Sequence, residues 1–547
     1  MRMKKRKFSR AVSLFLAAAL LFSVAGCAGS SGEKTAKSDS PAASGGEKIV
    51  NIGVTDALRT LNPLLQDGGE LNKYATGLLF LPLVELDSNL KFQGQLAESV
   101  TTDDNLTFTV KLRDNAVWSD GKPVTADDVI FTVLRLTNKT VGNTYMAGYS
   151  KLVGFSADGF SPDGAESVGG LIKVDDHTVK FVAKEKIALP TFENSYLRYL
   201  MVLPKHILGS VPVDKLANND FFNKPSVVSG PFTLVDFDKD HYISYQANKK
   251  YFLGAPKIDK LNIKIVQGSQ LYAGLKSGEI DFVQQTTGVI PQEDYQNIQS
   301  LENVKATLEQ PLTNELVFIN NKSVPNAKVR QAILYAINRE QLVSDLLKGS
   351  GEVVDGFLSS YGPYYDSSIK PTKYDPEKAK ALVKEAGWDS SKELNFLVNS
   401  GDTTLVQAGS VIAASLAQVG IKVKITTVDF NSLFAKVQAG DFDLYAIQYT
   451  IAPIDPSADM QWLVGTGNYL GYSNKEIDSL LAKTQQTKDD AEFKKIYSRV
   501  DTIMQQDVPL FSAYVVRSLG ACSKRLVNAE PHLYGTFLNV EKWEIKQ

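Results

Sequence analysis

The sequence predicts an exported α/β protein of more than one domain, and three observations carry that prediction. From about residue 394 to 449 short apolar runs alternate with longer amphipathic ones, the pattern of strands and helices in a sheet covered on both faces. The chain has 547 residues, more than one hydrophobic core serves, so two or three domains are expected. Its start reads as an export signal, while the rest is ordinary for a globular protein at 43% hydrophobic and 22% charged.

Six basic residues (Arg2, Lys4, Lys5, Arg6, Lys7 and Arg10) precede an apolar run over 11–22, too short to span a bilayer comfortably, and Val24, Ala25 and Gly26 lead to Cys27. Small residues before a cysteine resemble the lipobox of bacterial lipoproteins. That resemblance implies that residues 1–26 are a signal peptide, that the Cys27 thiol carries a lipid, and that the protein sits on the extracytoplasmic face of the cell membrane, in the periplasm if an outer membrane is present. An ordinary secretory signal with an incidental cysteine is the alternative. Removing the leader takes away six of the 59 basic and none of the 61 acidic residues, which leaves a net charge of −8 and argues against nucleic acid as partner. The only other cysteine is Cys522, so no intramolecular disulfide forms once Cys27 is lipidated. Past Cys27 no apolar run is long enough to cross a bilayer, and a transport role needs a partner membrane protein.

Residues 27–47 are rich in Ser, Gly, Ala and Lys and read as a flexible tether. The run 49–54 reads as a buried strand, followed by a loop with Asn62-Pro63 and Asp67-Gly68-Gly69-Glu70. A strand is expected over 106–111 and a turn over 118–123, and Thr125 with Asp128 forms a capping box for a helix through Leu136. Val329, Ala332, Ile333, Ala336, Ile337 and Leu347 make an apolar helical stripe between the start signal Asn326 and the stop signal Gly349. Asp375-Pro376 opens another helix that Gly387 closes. Strands are then expected over 394–398, 421–428 and 442–449, with helices over 405–419 and 433–439. The stretches 277–282 and 439–444 share Gly, acid, apolar, Asp, apolar. This is read as the common use of glycine to end a helix rather than as a repeat.

QLAES at 95–99, LR at 112–113, WSDGKPVTADDV at 118–129, VDDHTV at 174–179, LPKHIL at 203–208, SGPF at 229–232, YFLGAPKID at 251–259 and VRQAILYAINR at 329–339 occur in that order. Together they resemble the extracytoplasmic solute-binding proteins of family 5, the peptide- and nickel-binding receptors of ABC importers. The resemblance covers nearly all of the mature chain. It implies a two-lobed periplasmic-binding-protein-like fold of the class II type with an additional inserted α+β domain. Lobe I would be built from 48–80, 170–267 and 511–547, the inserted domain from 81–169, and lobe II from 268–510. It further implies a monomeric, non-enzymatic receptor that closes over a peptide and hands it to an ABC permease, whose ATPase supplies the energy.

The residues themselves offer little catalytic chemistry. There is no Gly-x-Ser-x-Gly, His-Glu-x-x-His, phosphate-binding glycine loop or Cys-x-x-Cys, and His177, His206, His241 and His532 have no metal-ligand spacing, so no cofactor or metal is expected. A carboxylate pair of the glycosidase kind is not singled out. Ligands of open α/β sheets bind beyond the carboxyl ends of strands. That rule points to Tyr449, Thr450 and the loop with Asp455 after one strand, and to Gln66, Asp67 and Glu70 after another. A Gly- and Tyr-rich loop with Tyr145 and Tyr149 is a third candidate. In peptide-binding members an Asp before the Asp-Pro pair usually holds the ligand's ammonium; here that place falls on Ala452, before Asp455-Pro456. Asp455, Asp67 or Glu70 would then hold the ammonium, or the ligand has none. A nickel chelate, haem, glutathione or glycan cargo, a surface sensor of peptides and a secreted hydrolase are the alternative functions.

Overall fold

Two sheets organise the chain, and the computed structural model describes residues 46–66, 69–143, 147–400 and 403–546. The seven-stranded first sheet runs, edge to edge, Val304–Leu308, Leu519–Ser523, Phe282–Val283, Ile49–Val54, Lys260–Ile265, Tyr242–Ala247 and Phe232–Asp238. The six-stranded second sheet runs Gly351–Glu352, Leu510–Val516, Thr313–Ile319, Leu444–Thr450, Glu393–Asn399 and Lys422–Val428. Along Thr313–Ile319, Val317 and Ile319 enter one apolar core while Leu316 and Phe318 enter another, so this sheet is buried on both faces as expected.

A four-stranded antiparallel sheet, Ala97–Thr101, Thr107–Leu112, Thr178–Val182 and Leu171–Asp175, packs under the helix Ala126–Leu136. Its core is continuous with that of the first sheet. The capping box forms as expected, and Asp128 does more than cap: one oxygen accepts from the backbone N–H of Thr125 at 2.9 Å and the other from that of Lys205 at 2.8 Å, beneath a fully buried Trp118.

Strand pairing moves three of the expected segment bounds. Residues 171–182, expected in lobe I, complete the inserted four-stranded sheet, because Thr178–Val182 pairs with Thr107–Leu112. Phe282–Val283 and Val304–Leu308, expected in lobe II, belong to the first sheet, and Leu510–Val516, expected almost wholly in lobe I, belongs to the second. The chain therefore passes between the two sheets over residues 309–312 and again over 517–518. These two crossings lie side by side. The Glu309 N–H donates to the Ser518 carbonyl at 2.9 Å and the Leu312 N–H to that of Val516 at 3.2 Å, making one antiparallel ribbon.

The apolar stripe from Val329 to Leu347 is two helices, Ala327–Tyr335 and Arg339–Leu346, because Asn338 caps the second through the Gln341 N–H. The shared stretches prove to be a structural repeat. Gly278 and Gly440 both end helices with positive φ (76° and 74°), and Asp281 and Asp443 each exchange two hydrogen bonds with one asparagine, Asn51 and Asn395, on a neighbouring parallel strand.

Candidate ligand-binding site

The helix Glu70–Gly77 follows the first strand and carries Lys73 into the interior. Lys73 is 1% exposed and donates to Glu85 at 2.8 and 3.0 Å, and Arg198, 3% exposed, donates to the same carboxylate at 2.6 Å. Burial alone would raise the Glu85 pKa, yet Arg198 and Lys73 outweigh it and hold the carboxyl below its usual range. The Arg198 guanidinium lies over the rings of Tyr534 at 5.0 Å and Tyr199 at 5.4 Å. Four buried polar atoms in this wall have no hydrogen-bond partner: Gln66 Oε1, Glu70 Oε2, Tyr74 Oη and Arg198 Nη2. Left without a partner, a buried polar group costs about 1–3 kcal/mol.

The facing wall comes from the end of the strand Leu444–Thr450 and the helix Ser457–Val464. Tyr449 donates its hydroxyl to Asp459 Oδ1 and the Ala452 N–H donates to Asp459 Oδ2, both at 2.9 Å. Burial pushes the Asp459 pKa up to about 6, with a further push from Asp455. Trp462 stacks between Tyr449 (5.7 Å, 12°) and Phe434 (6.2 Å, 2°), with Tyr469 edge-on. Tyr534 joins the walls: besides burial, the charges of Arg198 and Glu70 on one side and Asp459 on the other act on its hydroxyl. Leu86, Leu533 and Tyr534 also form one apolar cluster with Leu312 and Ile454. Behind the first wall lies a separate cavity of about 1020 Å³, bounded by Lys73, Glu85, Arg113 and the C-terminal residues 522–546. No residue of the second sheet lines it.

Both groups of side chains lie beyond strand ends, where α/β proteins bind ligands, and no group of metal ligands converges among the described residues. The profile of the bacterial extracellular solute-binding proteins, family 5, middle region, matches residues 91–471. The chain belongs to this family. Among family 5 relatives, the oligopeptide-binding protein AppA of Bacillus subtilis is 28% identical over 571 residues, covering 99% of each chain. The nickel-binding periplasmic protein of Escherichia coli is 24% identical, covering 82% of this chain and 85% of its own. The structure of B. subtilis AppA in complex with a nonapeptide superposes with a TM-score of 0.72 at 26% identity, covering 92% of this chain and all of that one. CtaP of Listeria monocytogenes, an ABC transporter substrate-binding protein, gives 0.78 at 25%, with the same coverage. The two-lobed family 5 fold is thus established, and the protein is a solute-binding protein rather than an enzyme.

Of the residues expected to bind ligand, the structure brings Gln66 and Glu70 into the first wall and Tyr449 into the second. Thr450 is exposed beside Thr313, their hydroxyls 3.0 Å apart. Asp455 is turned inward: it is buried, accepts from the Ser457 hydroxyl at 2.6 Å, and is held above its usual pKa by burial. Tyr149 is buried too, its hydroxyl donating to the Tyr196 carbonyl at 3.3 Å and its ring meeting Tyr196 edge-on. Cys27, Asp67 and Tyr145 lie outside the described residues. Sequence reasoning missed Lys73, Tyr74, Glu85, Arg198, Asp459, Trp462 and Tyr534. Only Asp459 had a local signal, an acid in the first turn after the Asp455-Pro456 pair.

Proposed function

We propose that this protein captures peptides between its two lobes and delivers them to an ABC permease, held on the outer face of the membrane by a lipid on Cys27. The observation that carries the peptide assignment is the mixed character of the orphaned atoms in the first wall. Gln66 Oε1 and Glu70 Oε2 accept, Arg198 Nη2 donates and Tyr74 Oη does either. A peptide main chain presents N–H and C=O groups in alternation, so one extended segment satisfies both kinds whatever its side chains. The oligopeptide-binding and nonapeptide-bound relatives support the same cargo class.

In this reading the lobes follow the sheets: residues 309–516 form the second lobe, 81–182 the insert, and the remainder the first lobe. The ribbon of 309–312 and 517–518 is the hinge. Closure brings the Asp459 wall to the first wall, adding contacts the open form lacks, and ligand shifts the population toward the closed state. Permease and membrane lipid are the partners, and the protein acts as a monomer.

Native mass spectrometry of the chain produced without residues 1–27, with co-purified ligand retained, tests this reading. The expected result is a ladder of peptide masses released on denaturation. A single non-peptide mass or a metal adduct overturns the peptide assignment.

A further inference from the structure

The cavity behind the first wall lies outside the peptide cleft, and its charges do not balance. Its volume of about 1020 Å³ is at the upper end of the range of small-molecule sites. Six lysine and arginine side chains line it against four carboxylates, and every one of those carboxylates is already engaged. Glu85 is held by Lys73 and Arg198, and Glu530 by Lys305. Asp87 accepts from the N–H groups of Asn89 and Lys91 and from the Gln93 amide, at 2.8 to 3.0 Å. Glu541, 7% exposed, lies 3.9 Å from Lys542. Three cations are left over. Arg113 donates from Nε and Nη2 only to the carbonyls of Gln95 and Gly94, at 2.8 and 2.9 Å, and Lys524 only to that of Glu302, at 2.8 Å. Lys546 has no ion pair among the described residues. A chain that is acidic once its leader is removed thus gathers unmatched positive charge in one concave place, which draws anions to it.

We infer that this cavity is a second ligand site, distinct from the cleft, for a small anion bearing two or more negative charges, a polycarboxylate or a phosphate. Arg113 is its anchor. Two main-chain carbonyls hold the guanidinium fork in place and leave Nη1 without a hydrogen bond among the described residues, so its free edge can grip a pair of anionic oxygens. Tyr251, buried in the same lining, has its hydroxyl in the fields of Glu541 and Arg113, which puts a further donor beside the anchor. Lys524 and Lys546 bring charge from the C-terminal segment. A dianion matches the excess of two cations in the lining, whereas a monoanion leaves part of it unmatched. The inference holds whatever cargo the cleft carries.

Isothermal titration calorimetry of the chain without residues 1–27, with citrate, pyrophosphate and acetate as probes, tests the inference. Citrate, pyrophosphate or both should bind one per chain, about tenfold or more tighter than acetate, with an affinity that falls as sodium chloride is added. Citrate alone assigns the site to polycarboxylates, and pyrophosphate alone to phosphates. Arg113→Gln and Lys524→Gln should each weaken binding by about tenfold. Lys380→Gln, which removes an exposed cation from the helix Pro376–Glu385, should not. No saturable binding of either polyanion at millimolar concentration, or equal binding of acetate, overturns the assignment. So does an affinity that Lys524→Gln leaves unchanged, which puts the anion elsewhere. Lys524 is exposed, so its replacement leaves the core intact even if Arg113→Gln, which frees two carbonyls, does not fold. None of these outcomes bears on the peptide reading.

Discussion

Arg339 and Asp355 show what a satisfied buried charge requires. Both are nearly inaccessible and ion-paired; Arg339 also donates to the carbonyls of Val354, Ser512 and Thr372, and Asp355 accepts from Thr372 and Gln505. Asp355→Ala leaves the guanidinium buried and unpaired, so unfolding of the second lobe in urea should shift by about 3–5 kcal/mol. Asp501 stands nearby without such partners: one oxygen is orphaned, and burial, then Asp355 and Asp366, raise its pKa to about 7. The folded protein keeps this proton where the unfolded chain has lost it, so this group's contribution to stability declines as pH rises from about 4 through 7 and is flat above. Asp501→Asn should flatten that decline in urea titrations across the same range; an unchanged slope assigns the dependence to other groups. Caps such as Thr125, Asn326 and Asp375 were legible in the sequence because their partners lie within three residues. Arg198 was not, because Glu85 lies 113 residues away and nothing local marks the pairing.

The repeated element around Asp281 and Asp443 was readable as letters and misread as chance, since a helix-ending glycine is common and the pairing partners Asn51 and Asn395 are remote. The two carboxylates do the same task at different strength. Asp281 is fully buried and also receives two hydrogen bonds from Arg525 at 2.6 Å, while Asp443 is half-buried and has no ion pair among the described residues. Asp281→Ala should therefore cost more stability than Asp443→Ala, by roughly 1–3 kcal/mol from the lost charged bonds, and equal costs in denaturant titration would sink this ranking. The alternating strands and helices of 393–450 were legible to within about three residues, because each carries its own periodicity. The split at Asn338 was not, since the apolar stripe runs across the break and only the cap reveals it.

At the scale of the molecule, the α/β class and the two-lobed architecture were legible from alternation, length and motif order. The membership of each strand in its sheet was not, because periodicity states that a segment is a strand and says nothing of its neighbour. Residues 282–308 and 511–516 fell on the wrong side for that reason. The position of Leu519–Ser523 has a consequence for how the protein comes into being. This strand is 24 residues from the carboxyl end, yet it sits between Val304–Leu308 and Phe282–Val283 in the first sheet. The second sheet has all its strands once residue 516 is in place, while the first keeps a gap, one strand in from its edge, until residues 519–523 follow. A chain read from its amino end thus completes last the sheet with which it began.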